Sequence, residues 1–173
     1  MDKKQVRAFE GFVAESGDTL LRIATLLTCD PHQAEDVYQE TLQRLAARWG
    51  RIDNPLAFSR RVLHNIVIDQ GRARRRRPAE LQLITTLDNG DPRAGDPLAA
   101  VELRPALLAA LNTLTPQQRS IVVLRYFDDR SETEVADLLG VSAGTVKSTA
   151  SRAVAQLRIQ PGLTALFASS DTY

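Results

Sequence analysis

The 173-residue chain has one cysteine, one methionine, one tryptophan and two histidines. The single Cys29 cannot form an internal disulfide, and with His32 and His64 it makes a poor zinc site. Cys29 is expected as a buried thiol, because a free cysteine behaves as a small hydrophobe. Both histidines are expected as polar surface groups. Aromatic residues reach only 5%, and alternating strand-type runs are scarce. No apolar stretch approaches the ~18 residues of a membrane span, so no membrane insertion is expected. Met1-Asp2-Lys3-Lys4-Gln5 leads into no apolar signal core. Nucleophile–base sets, phosphate loops, metal clusters and internal repeats are also missing. These absences argue against a secreted disulfide scaffold, a membrane protein and an enzyme. No catalytic residue, metal or cofactor is expected, and the protein reads as reduced, cytoplasmic and helical.

Hydrophobic residues make up 43%, enough for a core. The length suits one or two domains at ~100–200 residues each. Leu, Ala and Arg lead the composition, which favours helix. The net charge of +1 hides an uneven distribution. Residues 1–77 carry +4, residues 78–103 carry −4, and residues 104–173 carry +1. Within 51–77, eight arginines face only Asp53 and Asp69. Local charge sets the potential that a polyanion meets.

Leu87 to Pro97 holds two Gly, two Pro and three Asp. Pro and Gly interrupt helices, and Asp-Asn-Gly favours turns. Asp88-Asn89-Gly90-Asp91 lacks the spacing and terminal Glu of a calcium loop. A flexible acidic linker over 78–103 is the expectation. It separates a unit at 1–77 from one at 104–160, with a tail at 161–173.

Helix signals are local. Asp30-Pro31 and Asn54-Pro55 each pair an N-cap with a proline at the first helical position. Ala34, Val37, Tyr38, Thr41, Leu42 and Leu45 form an apolar face that ends near Trp49-Gly50. Glu35, Asp36, Gln39, Glu40, Gln43 and Arg44 lie opposite. Upstream, Phe9, Phe12 and Val13 suggest a short first helix, and Leu20, Leu21, Ala24 and Leu27 another. After Asn54, Phe58, Val62 and Ile66 give a buried stripe flanked by Leu63 and Val67. Arg60, Arg61, His64, Asn65, Asp69 and Arg72 are expected on the exposed sides. In the second unit, Leu107, Leu108, Leu111 and Leu114 come first. Thr115-Pro116-Gln117-Gln118 and Ser131-Glu132-Thr133-Glu134 are capping boxes. The fold class is therefore all-α: two small helical domains joined by a flexible acidic linker.

The C-terminal unit reads as a helix-turn-helix. Ala136 is small where two steeply crossing helices touch. Gly140 tolerates the positive φ of the turn, and Val146 anchors the second helix. Ser142 caps that helix, which runs through Val154 to Leu157. Such a hairpin presents its second helix to the DNA major groove. Thr145, Lys147, Ser148, Ser151 and Arg152 then face outward, where Lys and Arg can meet guanine edges or phosphates. The alternative is a plain helical hairpin with a solvated face. Arg72-Ala73-Arg74-Arg75-Arg76-Arg77 by itself is more often a solvated tail. It gains weight by closing a helix that already carries Arg60, Arg61 and Asn65.

Several stretches in order resemble one family. Ala34-Glu35-Asp36-Val37-Tyr38-Gln39-Glu40-Thr41 resembles a signature of bacterial sigma factors. Gly144-Thr145-Val146-Lys147-Ser148, then Ser151-Arg152 and Leu157, resembles the recognition helix of their extracytoplasmic-function group. Leu114 to Arg119, Val123 to Phe127, and Asn65 to Arg77 resemble further segments, and the likeness spans about residues 9–158. Thr149 stands where the family usually has Arg, and His64 where Arg is common before Asn65. The resemblance implies a protein that binds core RNA polymerase and directs it to promoters. Asp36, Gln39 and Glu40 would dock on the beta-prime clamp helices; the beta flap is a second contact. Residues 59–77 would meet the minus-10 element through Arg60, Arg61, His64, Asn65, Asp69, Arg72, Arg74, Arg75, Arg76 and Arg77. Asn65 and nearby loop residues would help hold an extruded base. Trp49 and Phe58 are expected as core rather than as stacking platforms. Thr145, Lys147, Ser148, Ser151 and Arg152 would face the minus-35 element. The acidic linker would thread positively charged polymerase channels, and an anti-sigma factor is a further partner. Two other readings stand beside this one: a stand-alone helix-turn-helix regulator, and a helical adaptor.

Overall fold

The structure, a computed structural model, describes residues 2–76, 103–160 and 163. The expected linker and tail therefore lie outside the described residues, apart from Leu103 and Leu163. Contacts divide the chain into two units, Met1–Arg77 and Pro78–Tyr173. Among the described residues all regular structure is helical.

The first unit holds α1 (Lys3–Thr28), α2 (Pro31–Ala46) and α3 (Pro55–Arg75). Each of the three packs on the other two. Leu20, Ile23, Ala24 and Leu27 of α1 meet a core that includes Val37 and Leu45 of α2 and Leu63 and Ile66 of α3, all buried. Each such Leu, Ile or Val side chain contributes roughly 1.5–3 kcal/mol when fully buried. Asp30 accepts the backbone N–H groups of His32 and Gln33, and Asn54 that of Ala57, so both cap-plus-proline signals open helices. Cys29 is buried and closes α1 in the left-handed region at φ 57°. Its backbone N–H donates to the Thr25 carbonyl at 2.8 Å.

The two helices expected over the first 28 residues are one. α1 runs unbroken through Gly11 and Gly17. Gly17 is a point of close approach instead: a Cβ there would stand 2.8 Å from the Tyr38 hydroxyl. Helix–helix contact, not chain reversal, explains that glycine. A capping box also closes the start of α1, where Asp2 accepts the Gln5 N–H and Gln5 accepts the Asp2 N–H.

The second unit holds α4 (Leu103–Asn112), α5 (Pro116–Val122), α6 (Glu132–Leu139) and α7 (Ala143–Arg158). Both expected capping boxes form, at Thr115/Gln118 and Ser131/Glu134. Hydrogen bonds from the Ser131 backbone N–H and hydroxyl hold the Glu134 carboxyl below its usual pKa. α5 runs into a π-helical turn, Val123–Phe127, which sequence periodicity did not signal. Arg125 donates to the Arg130 carbonyl, and Arg130 pairs with Asp128 at 3.2 Å and Glu134 at 3.0 Å. These contacts lie between the π turn and the first turn of α6. Ile121, Leu124, Val135, Ala136, Val146 and Ala150 form one buried cluster. No helix among the described residues is long and apolar enough to cross a membrane.

Candidate nucleic-acid interface

The helix-turn-helix geometry forms around the three positions that its spacing singles out. Ala136 is 6% exposed and Val146 fully buried, in the same cluster. Gly140 ends α6 at φ 66°, with its N–H donating to the Ala136 carbonyl. The Ser142 hydroxyl accepts the Thr145 backbone N–H at 3.1 Å and meets the Thr145 hydroxyl at 2.8 Å. Along α7, Val146, Ala150, Ala153 and Leu157 are buried. Thr145, Lys147, Ser148, Ser151 and Arg152 are all exposed. Helical spacing puts Thr145, Ser148 and Arg152 along one line and Lys147 and Ser151 along the next. Arg152 Nε donates to the Ser148 carbonyl at 3.2 Å, which orients the guanidinium along this face.

In the first unit the expected basic face divides. Arg61, Asn65, Asp69, Arg72, Arg74 and Arg76 are exposed. Asp69 and Arg72 stand 3.7 Å apart, an exposed pair of little energetic weight. The Arg75 side chain and Arg77 lie outside the described residues. Arg60 and His64, expected on the exposed sides, are instead buried, at 8% and 0% exposure. The reason is that α3 packs on both α1 and α2, so its buried arc widens to take in Ser59, Arg60, Leu63, His64 and Val67 beside Val62 and Ile66. Neither His64 ring nitrogen has a hydrogen-bond partner. Burial, assisted by the Arg60 charge, lowers its pKa to about 3. The imidazole therefore sits in the core of the unit and not on its surface, where it was expected.

What sequence reasoning missed is a pocket between the end of α2 and α3. It has a volume of about 520 Å³, and its lining includes Arg44, Arg48, Phe58, Arg61 and Asn65. Phe58 is half-buried, with the Arg48 guanidinium 5.9 Å from its ring centre. Arg44 also pairs with Glu40 at 2.5 Å. Three cations, an aromatic face and an amide converge here, the set of groups that suits a nucleobase and its flanking phosphates. The signal for it was split between α2 and α3, so no single stretch displayed it. On α2, Asp36 and Gln39 are exposed and Glu40 half-exposed.

Two family models match the chain. Sigma-70 region 2 covers residues 12–77, and Sigma-70, region 4 covers residues 104–157. The RNA polymerase sigma-E factor of Streptomyces antibioticus is 40% identical over 161 residues, which is 91% of this chain and 87% of that one. The ECF RNA polymerase sigma factor SigL of Mycobacterium tuberculosis is 33% identical over 151 residues, 84% of each chain. Among solved structures, the sigma factor RpoE from Bartonella quintana, in complex with the anti-sigma factor NepR, aligns with a TM-score of 0.71 at 25% identity. That alignment covers 88% of this chain and 95% of that one. A stand-alone regulator or an adaptor is not favoured by matches that extend over both units. The chain belongs to the sigma-70 family, in its extracytoplasmic-function group: it is an RNA polymerase sigma factor, which directs transcription initiation.

Proposed function

We propose that this sigma factor divides promoter recognition between two surfaces. Thr145, Lys147, Ser148, Ser151 and Arg152 of α7 meet the minus-35 element as duplex. The pocket of Arg44, Arg48, Phe58, Arg61 and Asn65 takes an unpaired base of the minus-10 element. Arg72, Arg74 and Arg76 hold the adjoining phosphates beside Asp69, with Arg75 and Arg77 continuing the run. The observation that carries the proposal is that pocket: cations and an aromatic face gather where the end of α2 meets the first half of the arginine-rich helix α3. Arg60 and His64 are assigned the structural role of filling the bundle.

Asp36, Gln39 and Glu40 on α2 dock on the beta-prime clamp helices of core RNA polymerase, and the second unit meets the beta flap. The chain catalyses no reaction itself; it positions polymerase, in the cytoplasm. The NepR complex of the Bartonella quintana relative supports a further partner, an anti-sigma factor. Residues 1–77 and 104–160 act as separate domains on either side of the 78–103 linker.

Footprinting and run-off transcription with purified core polymerase test the division. Lys147→Ala and Arg152→Ala should each weaken minus-35 recognition by ~1–3 kcal/mol if they read base edges. If they touch only phosphate, binding to all sequences should weaken alike and the salt slope should fall by about one. Replacing Arg74 and Arg76 by Ala should reduce open-complex formation and leave the upstream footprint intact. Full transcription by that variant at moderate salt would sink the minus-10 assignment of the run. Asp36→Ala with Gln39→Ala should weaken capture of core polymerase without loss of helicity.

A further inference from the structure

The first turns of α1 lie ahead of the matched segment 12–77, and Lys3, Lys4, Val6, Arg7 and Ala8 are exposed. The core of the bundle gathers at the other end of this helix, from Gly17 onward. Yet this early stretch makes specific contacts, and they converge on the 47–54 loop between α2 and α3. Phe9 meets the Trp49 ring edge-on, with centroids 5.1 Å apart and planes at 89°. Phe12 meets the same ring at 5.6 Å. Gly50 has φ 76°, and a Cβ on it would stand 2.8 Å from Gln5 Nε2. The loop backbone therefore passes directly against the Gln5 amide. The opposite end of that amide, Oε1, accepts the Asp2 N–H at 3.0 Å and completes the helix cap. One side chain thus takes part in the helix cap and packs against the loop.

Ala47 and Arg48 connect this contact with the candidate base site. On one side they line a cleft with Gln5, Trp49 and Gly50; on the other they line the pocket with Phe58, Arg61 and Asn65. A pocket discriminates between bases only as well as its walls are held. We infer that Gln5, Phe9 and Phe12 are positioning residues: they clasp the loop through Trp49 and Gly50 and so set the base selectivity of the minus-10 pocket. The inference rests on the proposed reading of that pocket.

Trp49 is the single tryptophan of the chain, so its emission reports the clasp directly. The test uses the full chain with core polymerase, on a promoter selected with the unaltered chain and then substituted one base at a time across the minus-10 element. Phe9→Ala and Gln5→Ala should red-shift Trp49 emission and raise its quenching by acrylamide. The same variants should lower the ratio of run-off from selected over substituted promoter by about fivefold at the held base. Capture of core polymerase should stay unchanged. Phe9→Tyr should restore both readouts, and Arg7→Ala, on the exposed side of the same turn, should alter neither. Gln5→Ala, at an exposed first turn, covers the case in which Phe9→Ala loses helicity. If both variants free Trp49 but keep the base ratio, while Arg61→Ala and Asn65→Ala flatten it, the clasp is overturned and the pocket reading stands. If Arg61→Ala and Asn65→Ala also keep the ratio, the pocket reading fails and the inference falls with it.

Discussion

The His64 imidazole is enclosed, and burial together with the nearby Arg60 charge takes its pKa from the ordinary 6.5 to about 3. The unfolded chain binds a proton on this group below pH 6.5, whereas the folded chain does not until near pH 3. Stability tied to His64 is therefore present above pH 6.5 and is lost as pH falls toward 3. The loss amounts to about 2 kcal/mol at pH 5 relative to pH 7. His64→Leu should melt above the unaltered chain at pH 7, by about 1 kcal/mol, because it removes two unsatisfied buried polar atoms. The gap should widen at pH 5. Thermal melts followed by circular dichroism at the two pH values check both; a gap that narrows on acidification would contradict the linkage. The burial of His64 was not legible in the sequence. A histidine flanked by Leu63 and Asn65 in an arginine-rich helix looks polar, and only the position of α1 and α2 around α3 decides which arc is covered.

At the scale of elements, what was legible is what is local. The caps at Asp30, Asn54, Thr115, Ser131 and Ser142 all form, because each is a short exchange between a side chain and backbone N–H groups two or three residues on. The continuity of α1 was not legible, since the role of Gly17 depends on Tyr38 in another helix. The π turn at Val123–Phe127 was not legible either, because it keeps the apolar pattern of an ordinary helix and is fastened by Arg125 and Arg130 beyond it. The turn between α6 and α7 permits a clean test. A Cβ on Gly140 would meet nothing within 4 Å, so only its left-handed backbone resists substitution. Gly140→Ala should cost about 1 kcal/mol, and Gly140→Asn less, because Asn tolerates that conformation. Ser142→Ala should cost a similar ~1 kcal/mol through loss of the cap, and should also release the Thr145 hydroxyl. Chemical denaturation of the three variants ranks them; equal losses for Ala and Asn at 140 would refute the backbone argument.

For the molecule as a whole, each unit has its own buried core, which predicts that residues 1–77 and 104–160 fold when made separately. Each fragment should give a helical circular dichroism spectrum and melt cooperatively; an unfolded fragment would contradict this. The two-unit layout was legible from composition, where the acidic stretch separates two complete apolar patterns. The candidate pocket was not, because its walls come from α2, the loop and α3. One consequence of α7 reaches beyond a single promoter. The positions that hold α7 in place, Val146, Ala150, Ala153 and Leu157, alternate with the exposed positions proposed to meet DNA, and no residue belongs to both sets. Exposed substitutions away from caps usually change stability by less than ~0.5 kcal/mol. Lys147, Ser148, Ser151 and Arg152 can therefore drift without endangering the fold. A duplicated copy of this sigma factor could acquire a new set of target genes by a few substitutions on one face, while its scaffold stays under unchanged selection.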